Sequence, residues 1–152
     1  MRRLGSLVRL APEERALALR SHGWLLAARI ALRVVPFTSL RRFIETRGVP
    51  DARRADDWPA AVRRGMIRAT RSLPGSTCLA QALAAELLLR SGGHPARLTI
   101  GVATAKPTHN ATAGAPAVPI DAHAWVESGG LVVAGEGELG QYTALVQFGN
   151  DS

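Results

Sequence analysis

The chain carries one cysteine, four histidines and twelve acidic side chains in 152 residues. Their spacing singles out one constellation. Cys78 follows Ser76-Thr77 and opens the run Leu79-Ala80-Gln81-Ala82-Leu83; forty-five residues after it stands His123, in Asp121-Ala122-His123-Ala124-Trp125-Val126-Glu127. Ser128-Gly129-Gly130 and Leu131-Val132-Val133-Ala134-Gly135-Glu136 follow. Hydrolysis through a thiol needs a thiolate nucleophile, an imidazole that takes and returns the proton, and an acceptor that orients the ring. Cys78, His123 and Glu136 are of the right types for these roles, in that order. Glu138 and Asp121 are alternatives for the third, and Gln81 is a candidate oxyanion donor beside the Cys78 backbone amide.

Two elements must position these groups. Ser76 or Thr77 caps a helix predicted from Cys78 to Arg90, which Ser91-Gly92-Gly93 ends. A thiol in the first turn faces unpaired backbone amides and the positive end of the helix dipole, which favours the thiolate. The competing reading is a buried helix whose cysteine is a small core residue. The second element is a hairpin of 122–127 and 131–136 across Ser128-Gly129-Gly130. A two-residue Gly129-Gly130 turn pairs Ser128 with Leu131, and counting back pairs Trp125 with Ala134 and His123 with Glu136. Directly opposed side chains share a face about 4.5–5.5 Å apart, and a one-residue slip would move Glu136 to the other face.

Upstream, Ala11-Pro12-Glu13-Glu14 starts a helix that runs to about Val35, where Pro36 stops it. Thr38 or Ser39 caps a short helix closed by Gly48 and Pro50. A third helix begins near Asp56-Asp57-Trp58-Pro59 and runs to about Ser72. After Cys78, residues 96–103 alternate as a strand, Lys106 to Pro119 read as a long loop, and Tyr142 to Phe148 form a last strand or a strap. The expected division is a helical region over 1–73 and an enzymatic core over 74–152, in an α+β fold.

With 47% hydrophobic and 20% charged residues the composition is that of a globular domain. One cysteine excludes an internal disulfide and a multi-cysteine metal site, and suits a reducing, cytoplasmic setting. The expectations include no cofactor, no metal and no membrane span, since Trp24 to Phe37 is interrupted by Arg29 and Arg33. The formal charge of +7 is uneven: Met1 to Thr77 holds 16 Arg against 6 acidic residues. Without aromatic interleaving, this basic half points to an acidic peptide or protein partner and away from nucleic acid. Arg41-Arg42, Arg53-Arg54 and Arg63-Arg64 read most simply as solvated helix faces. His94, beside a helix end and Pro95, reads as solvated or capping. His22 lies on a helix and His109 in the loop.

A helix-borne cysteine followed by strands with histidine and carboxylate resembles the papain and transglutaminase-like arrangement. Ser76-Thr77-Cys78-Leu79, Leu87-Leu88-Leu89-Arg90, Gly101-Val102 and Ala122-His123-Ala124-Trp125-Val126-Glu127 resemble the lasso-peptide leader peptidases, as do Leu10-Ala11-Pro12-Glu13-Glu14 and Val35-Pro36-Phe37. That family is the stand-alone protease half of a split maturation protein. The resemblance implies a papain/transglutaminase-like core, with Cys78 and His123 as nucleophile and base. It implies removal of the leader from a ribosomal precursor peptide, with a small leader-recognition protein as partner and a macrolactam (lasso) cyclase downstream. It also leads one to expect Asp where Glu136 stands. The other readings are a transglutaminase-like acyl transferase, which passes the thioester to an amine, and a non-enzymatic basic adaptor.

Overall fold

The computed structural model describes residues 11–47, 54–104 and 120–149. The expected loop over 106–119, with His109, lies outside these residues, as do Arg53, Gly48 and Pro50. Among these residues four helices come first: α1 (Pro12–Val34), α2 (Phe37–Thr46), α3 (Trp58–Ser72) and α4 (Cys78–Ser91). Strands β1 (Arg97–Thr104), β2 (Ile120–Ser128), β3 (Leu131–Ala134) and β4 (Thr143–Phe148) follow, with one 3-10 turn over Leu139–Gln141. The sheet is antiparallel in the order β3-β2-β1-β4. The α+β expectation is met.

Local chemistry explains most boundaries. Pro12 and the acidic Glu13 and Glu14 occupy the first turn of α1, and Val34 is its last residue before Pro36. Neither Thr38 nor Ser39 caps α2, contrary to expectation: it starts at Phe37 directly behind Pro36, with no side-chain cap. Asp57 precedes α3, also without a capping hydrogen bond. On α4 the cap is present, since Thr77 Oγ1 accepts from the Ala80 backbone N–H at 3.2 Å. Tyr142 precedes β4, and 143–148 form a true edge strand on β1.

Helix α4 is the centre of the molecule. Nine of its residues are buried, and Leu83, Leu88 and Leu89 have no exposed surface. It is apolar on nearly every side because α1, α3 and the sheet pack against it. Truncating any of these leucines to Ala would cost about 2–5 kcal/mol. Leu98, Ala124, Val126 and Val133 supply the sheet side of the same core.

Two polar groups sit in this core against expectation. Arg41 is buried, where a solvated Arg41-Arg42 face was expected, because its guanidinium meets the wholly buried Glu86 at 2.5 Å. His94 is buried too, its Nε2 3.1 Å from the Arg54 carbonyl and its backbone N–H closing the end of α4 on Leu89. Its role is to join the end of α4 to the segment before α3. No described helix is long and apolar enough to cross a membrane.

Candidate active site

Cys78 is the first residue of α4 and half-buried against the core. The segment ahead of it is tied down: Ser76 Oγ donates to the Leu73 carbonyl at 2.7 Å, and Gln81 Nε2 donates to the Ser76 carbonyl at 3.0 Å. Gln81, the candidate oxyanion donor, therefore spends one amide hydrogen on shaping the turn that presents Cys78. The backbone N–H groups at the helix start have no intrahelical acceptor. The Thr77 cap takes that of Ala80, and the Cys78 amide stays a candidate oxyanion donor.

His123 lies on β2, directly opposite Gly101 of β1. Its strand neighbours Ala124 and Val126 belong to the core cluster, whereas His123 and Trp125 alternate away from it. The imidazole packs in a group of three rings. Its centroid is 5.0 Å from that of Tyr142 and 6.2 Å from that of Trp125, both near-parallel. Gly101 makes room, since a Cβ there would come 3.0 Å from the Trp125 ring. His123 Nε2 lies 2.8 Å from the Gly135 carbonyl oxygen.

The hairpin differs from the expected count in one residue. Gly129 and Gly130 both have positive φ, as a two-residue primed turn demands, and Ser128 pairs with Leu131. Glu127 then pairs with Val132, but Val126 pairs with Ala134, so Val133 is the extra residue of a β-bulge. The expected pairing of Trp125 with Ala134 is therefore wrong, and with it the facing of His123 by Glu136. Val133 is buried, and keeping both it and Ala134 in the core is what forces the slip. Glu136 instead takes the Arg63 Nε hydrogen at 2.5 Å, with both side chains more than two-fifths exposed.

The alternatives are placed as clearly. Asp121 accepts the Tyr142 phenol hydrogen at 2.7 Å, and Glu138 is exposed ahead of the 3-10 turn. That hydrogen bond is the main reason Tyr142 ionises above its ordinary value of 10.0; partial desolvation, the Asp121 charge and the charge of Cys78 add to it. Tyr142 is thus stacked on His123 and tied to Asp121. Sequence reasoning missed both Tyr142 and Gly135. The first had a signal, being the only tyrosine in the chain; the second acts through its backbone.

Beside Gly135 a cavity of about 220 Å³ is lined by Gln81 of α4 and Thr70 of α3, with Met66, Ile67 and Val133 on its apolar side. Residues 22–147 match the family model described as the transglutaminase-like superfamily, a span from within α1 to within β4. The chain belongs to the transglutaminase-like superfamily. No curated protein and no solved structure gives a match. Within a transglutaminase-like domain, a superfamily of cysteine proteases and acyltransferases, Cys78 is the one residue able to serve as a thiol nucleophile, because the chain has no second cysteine.

Proposed function

We propose that the chain is a cysteine peptidase that removes the leader from a ribosomally made lasso-peptide precursor, acting with a leader-recognition protein and ahead of a macrolactam cyclase. The observations that support it are a lone cysteine opening a capped helix and, on the strand β2 that packs against that helix, a histidine ring whose Nε2 is already committed to a carbonyl. The substrate class comes from the resemblance of the motifs around Cys78 and His123 to the leader peptidases.

In this reading the Cys78 thiolate attacks the scissile carbonyl, and the oxyanion turns to the Cys78 backbone N–H at the start of α4. A carbonyl oxygen only accepts, so Nε2 holds its hydrogen and Nδ1 is the atom that exchanges protons. Nδ1 protonates the leaving amine as the thioester forms. It then takes a proton from water, which attacks the thioester and frees the new carboxylate and the thiol. The exposed arginines of the first half, Arg42 and Arg64 among them, are the proposed docking charges for an acidic leader or partner.

Precursor, recognition protein and purified chain are incubated together and the products read by mass spectrometry. Cys78→Ala and His123→Ala are expected to abolish leader release, with circular dichroism unchanged. Full cleavage by either folded variant would overturn the assignment. Superfamily membership also supports acyl transfer, and an added amine separates the two: an amidated product indicates transfer, a free carboxylate hydrolysis.

A further inference from the structure

We propose that the group orienting the His123 imidazole is the backbone carbonyl of Gly135, and that no carboxylate fills this role. The proposal rests on the assignment of Cys78 and His123 as nucleophile and base. Nε2 and the carbonyl oxygen are 2.8 Å apart. Because the carbonyl cannot donate, the neutral ring is held as the Nε2–H tautomer, with the Nδ1 lone pair available as base.

The carbonyl is aimed by a backbone that only glycine allows. Gly135 has φ +79°, and an L-Cβ there would fall 2.2 Å from the Ala124 carbonyl oxygen and 2.7 Å from the Trp125 Cα. The chain leaving β3 is thus pressed against β2 at the very strand that carries His123. The carboxylates near His123 in the sequence, the candidates Glu136, Asp121 and Glu138 and also Glu127, are engaged elsewhere or exposed: Glu136 with Arg63, Asp121 with Tyr142, Glu127 with Arg97, and Glu138 toward solvent.

A neutral acceptor has a chemical consequence. It fixes the ring as well as a carboxylate does, but hydrogen bonds to an ionised partner are about twice as strong, so the imidazolium gains less. The thiolate–imidazolium pair is correspondingly less favoured than in a site with a carboxylate. There is room to supply one, since a Cβ on Gly137 would lie 3.9 Å from Nε2, an ordinary contact, and its φ is not positive.

The test uses the full chain. Long-range ¹H–¹⁵N correlation at high pH, where the ring is neutral, reports the His123 tautomer directly and independently of substrate. Glu136→Gln and Glu138→Gln are compared in kcat/KM for leader release and in the pH profile of Cys78 alkylation by iodoacetamide. The expected results are a proton on Nε2, each variant within about threefold of the parent, and unchanged profiles. Gly137→Asp is expected to move the acid limb of the alkylation profile down by about one pH unit, as an opposite charge near the ring should. A proton on Nδ1 would overturn the proposal, as would an unmoved limb in Gly137→Asp. So would a loss of about a hundredfold or more in any one carboxylate variant, the size expected when the orienting group is removed. Leader release by Cys78→Ala would instead remove the peptidase reading and leave the tautomer result standing.

Discussion

Replacing Arg41 by Met is expected to cost the fold about 3–4 kcal/mol at pH 7 and far less at pH 5. Arg41 is only 4% exposed and binds Glu86, which is 0% exposed, at 2.5 Å. Its other amine meets Glu45 at 3.2 Å, and its guanidinium lies 4.4 Å from the centre of the Phe148 ring. One side chain thus ties α2 to the cysteine-bearing α4 and to the edge strand β4. Without it, Glu86 must either stay buried as an unpaired anion, at about 3–5 kcal/mol, or take up a proton. From its ordinary value of 4.5, protonation at pH 7 costs about 3.4 kcal/mol, at 1.36 kcal/mol per pH unit, and this route caps the loss.

Burial already raises Glu86 above 4.5, and Arg41 is the main influence holding it down. A carboxyl raised in the native state adds stability below its unfolded value and loses it as the pH rises through the native value. The variant is therefore a stronger form of the parent. At pH 5 protonation costs about 0.8 kcal/mol, so most of the deficit should vanish. Urea unfolding followed by circular dichroism at the two pH values measures this, and the melting temperature at pH 7 should fall by about 7–14 °C. Arg41→Met with Glu86→Leu should recover most of the loss, since Arg41 Nε and Glu86 Oε1 lack partners even in the intact pair. A deficit under about 1 kcal/mol at pH 7, or one of equal size at both pH values, would refute the reasoning.

Tyr142, as the only tyrosine, can be titrated by its phenolate absorbance; the midpoint should lie above 10.0 and fall in Asp121→Asn, and an unmoved midpoint would remove the hydrogen bond as its cause. The folding stability tied to this group is present below 10.0 and is lost as the pH rises through the native midpoint. Gly92→Ala should cost about 1–3 kcal/mol in urea unfolding. The new Cβ would fall 2.2 Å from Trp58 Nε1, which donates to the Leu88 carbonyl at 3.1 Å, while φ −96° at position 92 is itself tolerant of Ala. If the cost persists in a Trp58→Leu background, steric conflict with the indole is not its source.

What the sequence alone determined is governed by local chemistry. Pro12, Pro36, the Thr77 cap and the Gly129-Gly130 turn act through their own backbone dihedrals or a neighbour's N–H, so their effects could be read before the fold was known. The thiol at the start of α4 and the histidine on β2 were legible for the same reason: a capped helix and an alternating strand each announce themselves within a few residues.

The partners of buried and charged groups could not be read this way. Arg41 looked like one of several surface arginines until α4 brought Glu86 against it, forty-five residues away in the chain. The hairpin turn was predictable, but the bulge at Val133 follows from fitting Val133 and Ala134 into a core built by α3 and α4. That one-residue slip sends Glu136 to Arg63 and leaves a carbonyl beside His123. Every residue has a carbonyl, so residue types carry no mark of the one that will be used. Only the packing of β2 against the chain leaving β3 makes that choice.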